Sequence, residues 1–246
     1  MKRPLAAIVA LLVLATGCGR QSTTTTLTVL AASSLTDAFG ELGKAYQLSH
    51  KNVKIRFSFA GSQELAAQVK EGVPADVLAT ADQVTMDRLA AHVLPPTRRV
   101  IAGNSLTIAV GPGNPENIRG LADLASPGLR VVLAADNVPV GRYSRQALAK
   151  AGVTLTPKSE EIDVRTVLTR VRTGEADAGI VYITDLRSAG HAASSVPIPA
   201  AQNVAAAYCA AALRDSENPD PSAAFVTWLG SAEAKATLNK YGFVTP

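Results

Sequence analysis

From Leu27 to its C-terminus the chain alternates short apolar runs with amphipathic stretches, and this alternation constrains the fold more than any other feature. Apolar runs predict strands over 27–32, 53–59, 76–79, 98–110 with a break near Gly103 and Asn104, 129–134, 177–182 and 204–212. Helical spacing predicts helices over 35–49, 63–71, 83–91, 142–151, 164–173, 220–229 and 231–240. Such alternation is the pattern of an α/β protein in which helices cover both faces of parallel sheets. With 47% hydrophobic but only 4% aromatic residues, the 246-residue chain must build its core from Ala, Val and Leu. That length suffices for one large domain or for two lobes of roughly 100 residues each.

Several strand-to-helix junctions share a chemistry. "AASSLTDAF" puts Ser33 and Ser34 before the first helix, and "FAGSQELAAQV" puts Gly61 and Ser62 before the second. "NVPVGRYSRQAL" places Pro139, Val140 and Gly141 before another, and "EIDVRTVLTRV" places Asp163 at an N-cap position. Taken singly, each has an ordinary reading, because small and capping residues satisfy the orphan N–H groups of most helices. Taken together they fit a ligand site, since ligands of open α/β sheets collect beyond the carboxyl ends of the strands. A helix N-terminus carries roughly +0.5 of a charge and free N–H donors, so four aimed at one point would offset about −2. A dianion could then be held without any Lys or Arg, provided the four converge.

Charge and cysteine content narrow the classes. The formal net charge is +4, but Lys2 and Arg3 fall in a leader, which leaves 22 basic against 20 acidic residues. That balance is no footprint for nucleic acid. The leader "MKRPLAAIVALLVLATGCGR" has a basic start, an apolar run from Leu5 to Ala15, and Cys18 after two small residues, the layout of an export signal over 1–17. Its apolar run falls short of the roughly 20 residues of a membrane-spanning helix. "ATGC" resembles a bacterial lipobox with Ala15 in place of the usual leucine, so lipidation at Cys18 would hold the protein at a membrane surface through a polar tether over 18–26. Cys209 lies in the apolar run "VAAAYCAAAL" and reads as a buried thiol. His50, His92 and His191 are scattered, with no metal-ligand spacing.

The junction motifs, with "GVPADVLATAD", "GNSLTIAV", "GIVYITD" and the C-terminal "YGFV", occur in order over nearly all of 27–246. Together they resemble the periplasmic molybdate-binding proteins of molybdate ABC importers, a family of type II solute-binding proteins. The resemblance implies an α/β fold of two lobes, each a mixed, mostly parallel sheet flanked by helices, with the ligand cleft between them. Lobe 1 would comprise 27–104 plus 208–246 and lobe 2 would comprise 105–207, with "GNSLTIAV" and "VAAAYCAAAL" as hinge strands. The family's anion contacts fall on Ser34, Ser62, Val140, Val164 and Tyr182: hydroxyls from the serines and the phenol, backbone N–H groups from the valines. No cofactor, catalytic residue or direct protein–metal ligand is implied; molybdenum arrives as the molybdate oxyanion, with tungstate as an equivalent cargo. The implied partner is a membrane permease, and the implied state is an extracytoplasmic monomer.

Arg142 and Arg165 lie close behind the proposed N–H donors, and their side chains are expected to lean along the outer helix surface. Asp163 is expected to cap its helix. Rival readings are a binding protein of the same fold for sulfate or another small oxyanion, an effector domain of a regulator, and a hydrolytic enzyme. The export signal and the lack of a DNA-binding segment oppose the regulator. The enzyme reading lacks a G-x-S-x-G elbow and any histidine in a triad context.

Overall fold

The computed structural model describes residues 24–246. The expected export signal, Cys18 and residues 18–23 of the expected tether lie outside the described residues. Within them the strands are β1 (Thr25–Ala32), β2 (Val53–Ala60), β3 (Val77–Thr80), β4 (Arg99–Asn104), β5 (Leu106–Val110), β6 (Val131–Ala134), β7 (Ser159–Glu161), β8 (Ala178–Tyr182), β9 (Ser194–Pro197) and β10 (Ala206–Ala212). The helices are α1 (Thr36–Ser49), α2 (Ser62–Lys70), α3 (Gln83–Asp87), α4 (Pro139–Lys150), α5 (Val164–Arg172), α6 (Ile183–Ala189), α7 (Pro219–Trp228) and α8 (Ala232–Lys240).

The strands form two five-stranded sheets, ordered β2-β1-β3-β10-β4 and β7-β6-β8-β5-β9. Each contains a parallel trio, β2-β1-β3 in the first and β7-β6-β8 in the second. Each also holds one reversed strand, β10 in the first and β5 in the second, antiparallel to both its neighbours. The reversed strands are those the chain enters directly from the opposite sheet. β4 passes to β5 through Ser105 alone, and residues 198–205 lead from β9 back to β10. Asn203 ties the two passages together, accepting from the Leu106 N–H at 3.0 Å and donating to its carbonyl at 2.9 Å.

Burial follows sheet position. Central β3 and β8 are buried along their whole length, whereas edge strand β2 alternates Val53, Ile55, Phe57 and Phe59 with exposed Lys54, Arg56 and Ser58. One apolar core of mostly Ala, Val and Leu extends through both sheets. No helix among the described residues is long and apolar enough to cross a membrane.

The elements that were not expected are short or polar. β7 and β9 are edge strands reading "SEE" and "SSVP", with no hydrophobic alternation to betray them. α6 has seven residues, too few for a helical period to show. α4 starts at Pro139 rather than at 142, because proline fits the first helical turn, where no N–H partner is needed. α3 ends at Asp87, four residues before the expected limit.

Candidate functional site

Beyond the carboxyl ends of β1, β3 and β8 the two sheets meet around a small cavity of about 10 Å³, close to the size of one water. Four helix starts reach its wall: the 3-10 turn Ser33–Leu35 that leads into α1, and the first residues of α2, α4 and α5. Ser34, Ser62, Val140, Val164 and Tyr182 all line it, so the structure gathers the five residues expected from sequence into one place. Its lining carries no Lys, Arg or His among the described residues, and its positive field comes from backbone amides. Asp163 belongs to the wall but spends Oδ1 on the Thr166 N–H at 2.9 Å, capping α5 as expected.

Each hydroxyl is arranged to give rather than take a proton. Ser34 Oγ receives the hydroxyl of Tyr208 at 2.9 Å, and Ser62 Oγ receives the Ala81 N–H at 3.0 Å. Both serines are buried, and with one lone pair occupied each has its own proton free for the cavity. Tyr182 is 1% exposed and its hydroxyl has no hydrogen-bond partner among the described residues. Burial pushes its ionisation well above the usual tyrosine range, so it remains a protonated donor. Convergent hydroxyl and N–H donors suit a fully deprotonated anion.

An unpaired buried hydroxyl costs about 1–3 kcal/mol, whereas a hydrogen bond to an anion returns a similar amount. Tyr182→Phe should therefore leave the ligand-free protein as stable as before or stabler by about 1 kcal/mol, while weakening anion binding about tenfold. Denaturant unfolding and calorimetry on the same variant check the two halves; a variant less stable without ligand would show that the hydroxyl is satisfied in the free protein.

Arg142 and Arg165 do not lean along the outer helix surface. Arg142, on α4, pairs with Asp82 at the cap of α3 and donates to Thr85 Oγ1 at 3.1 Å. Arg165, on α5, donates to Asp37 Oδ2 on α1 at 2.6 Å and to Ser188 Oγ at 2.9 Å. With Gln63 Nε2 on the Ile162 carbonyl at 2.8 Å, the Arg142–Asp82 and Arg165–Asp37 pairs join the elements around the first sheet to those around the second, flanking the cavity without lining it. The expectation failed because it considered each arginine on its own helix, and the acidic partners are 60 and 128 residues away. Asp37, Asp82, Asn104, Asp185 and Tyr208 also escaped the sequence reading; of these, the cap position of Asp82 was the only local signal.

Residues 27–244 match the family described as bacterial extracellular solute-binding protein. The chain is 38% identical over 221 residues to the molybdate-binding protein ModA of Mycobacterium tuberculosis strain H37Rv, covering 89% of this chain and 85% of the relative. The periplasmic molybdate-binding protein of Azotobacter vinelandii superposes with a TM-score of 0.76 at 22% identity, over 89% of this chain and 99% of that one. The sulfate-binding protein SubI of Mycobacterium tuberculosis gives 0.78 at 21% identity, over 89% and 86%. The two superpositions establish a shared fold.

Proposed function

The chain belongs to the bacterial extracellular solute-binding protein family, whose members are binding proteins and not enzymes, and from that premise we propose that it captures molybdate for an ABC importer. The ion is held in the cavity between the sheets, a space that must widen beyond its one-water volume to admit it, by the hydroxyls of Ser34, Ser62 and Tyr182 and by the N–H groups of Val140 and Val164. The observation that carries this reading is the convergence of the five donor residues on one cavity, in which Tyr182 presents a buried hydroxyl with no partner among the described residues. The 38% identity to a protein named for molybdate binding supports the choice of ion. Two lobes, 27–104 with 208–246 and 105–207, close on the ion, and the loaded form docks on a membrane permease. Lipidation of Cys18 keeps the receptor, a monomer, at the outer face of the cell membrane.

Protonation and size set the selectivity. Molybdate, tungstate and sulfate are dianions without protons near neutral pH, whereas phosphate retains a proton and needs an acceptor, which none of the five proposed contacts offers. Sulfate accepts the same bonds as molybdate, so only the smaller radius that stretches its contacts counts against it. Tungstate nearly matches molybdate in size and is carried as well. Hydrogen bonds to a charged acceptor contribute about 1.5–3 kcal/mol each, and micromolar binding needs about 8 kcal/mol net. Five such donors total about 7.5–15 kcal/mol, so micromolar binding is reached when the bonds lie toward the upper part of that range and closure costs little.

Unfolding of the purified protein with molybdate, tungstate, sulfate and phosphate tests the reading. Ligand at 100 times its dissociation constant should stabilise by about 2.7 kcal/mol. Equal stabilisation by sulfate, whose receptor SubI shares the fold, would reassign the cargo; no response to any oxyanion would end the reading. Ser34→Ala and Ser62→Ala should each weaken binding about tenfold to a hundredfold. Arg142→Ala removes a link between the halves but no donor in the cavity, and should cost less than either serine.

A further inference from the structure

Behind Ser34 runs a chain of buried hydrogen bonds that no ligand contact requires. Asn104, the last residue of β4, accepts the Ser105 N–H on its Oδ1 at 2.9 Å. That bond fixes which end of the amide is which, so Nδ2 faces Thr184 Oγ1 at 2.8 Å and, at a longer 3.4 Å, the hydroxyl oxygen of Tyr208. The Tyr208 oxygen thus receives a proton from one side and gives its own to Ser34 Oγ at 2.9 Å. Tyr208 is fully buried on β10, where the pairing with β4 slips by one residue between Tyr208 and Cys209. Such a bulge re-aims the side chains beside it.

We propose that Asn104 and Tyr208 are positioning residues of a one-way donor relay that commits the Ser34 hydroxyl to donating into the cavity, thereby disfavouring oxyanions that carry a proton. The relay rests on the reading of the cavity as an oxyanion site and adds to it the origin of its selectivity. A free serine hydroxyl can turn and accept from a protonated ligand. Here Tyr208 occupies one of the two Ser34 lone pairs, and at Ser62 the Ala81 N–H does the same, so accepting from a ligand on the other would turn the serine's own proton away from the cavity with no acceptor placed for it among the described residues. Burial keeps the Tyr208 phenol protonated far beyond the neutral range, so the direction of the relay does not change with ambient pH. Asn104 also bonds Thr184 on α6, which joins the relay to the second sheet's elements at the passage between the sheets.

The test is a double-mutant cycle read by calorimetry on the full chain: the parent, Tyr208→Phe, Ser34→Ala and the double variant, each titrated with molybdate and with phosphate near neutral pH. Tyr208→Phe should weaken molybdate binding about tenfold and lower the molybdate-to-phosphate affinity ratio. In the Ser34→Ala background the same change should alter molybdate affinity by less than about twofold, because the relay has nothing left to orient. Equal losses in both backgrounds, or an unchanged ratio, overturn the relay. Asn104→Asp supplies a second arm should Tyr208→Phe fail to fold. Its carboxylate accepts the Tyr208 proton and draws it from Ser34, so binding should weaken in a Ser34-dependent way; unaltered binding overturns the proposal. A parent that binds no oxyanion would overturn the site reading and the relay together, whereas a binding parent with an additive cycle overturns the relay alone.

Discussion

Gly141→Ala should destabilise the protein by about 3 kcal/mol and weaken oxyanion binding at least tenfold. Gly141 occupies the first turn of α4, where the helix start presses against the end of β6. A β-carbon there would lie 1.9 Å from the Ala135 carbonyl oxygen and 2.5 Å from that of Ala134. Backbone atoms cannot rotate away as a side chain does, so α4 must shift outward, carrying the Val140 N–H from the cavity and Arg142 from Asp82. Gly40→Ala is the matched control, a helical glycine whose added carbon meets nothing within 4 Å. It should stabilise by about 0.5–1 kcal/mol through helix propensity alone. Denaturant unfolding of both variants, with molybdate titration of whatever folds, checks the pair; a Gly141→Ala protein with parental stability would mean that α4 does not need its close approach.

What the sequence revealed depended on how local the cause was. Strands β1, β3 and β8 and helices α1, α2, α5, α7 and α8 were readable because each carries its own apolar run, cap or period. Ser34, Ser62 and Val140 were readable as residues at helix starts and Val164 and Tyr182 only through the family resemblance, but their meeting was not readable from pattern, since it depends on four helix starts separated by up to about 130 residues of chain closing on one point. Family resemblance supplied that step. β7 and β9 stayed hidden because an edge strand of three or four polar residues is defined by its neighbour's hydrogen bonds and not by its own side chains. Arg142 and Arg165 were misread for a related reason: a basic residue beside a capping position shows nothing of an acid brought up from another helix.

Asp185 shows the same limit in its sharpest form, and it sets the pH response. Its carboxyl is fully buried in the first turn of α6, and neither oxygen has an aligned hydrogen-bond partner among the described residues. Arg165 Nε lies 3.0 Å from Oδ1, within ion-pair reach but off hydrogen-bond alignment. Burial is the larger influence and raises its ionisation to about 7; Arg165 opposes the rise, while Asp37 and Asp163 add to it. The folded protein therefore holds a proton on Asp185 that the unfolded chain has already released above about pH 4. Unfolding between about pH 4 and pH 7 releases that proton, so this group's contribution to stability falls as pH rises and then levels off. Over that window the loss is on the order of 2–4 kcal/mol. Asp185→Asn keeps the shape and removes the charge, so the variant should be the stabler protein at about pH 8 by that amount and lose its advantage near pH 4. Exposed carboxylates such as Glu41 and Glu175, held below their usual range by Lys240 and Arg170, act in the opposite direction at acid pH. They are common to both proteins and cancel in the difference. Urea unfolding of parent and variant across this range measures the difference directly, and a gap that does not change with pH would mean that Asp185 stays ionised in the fold.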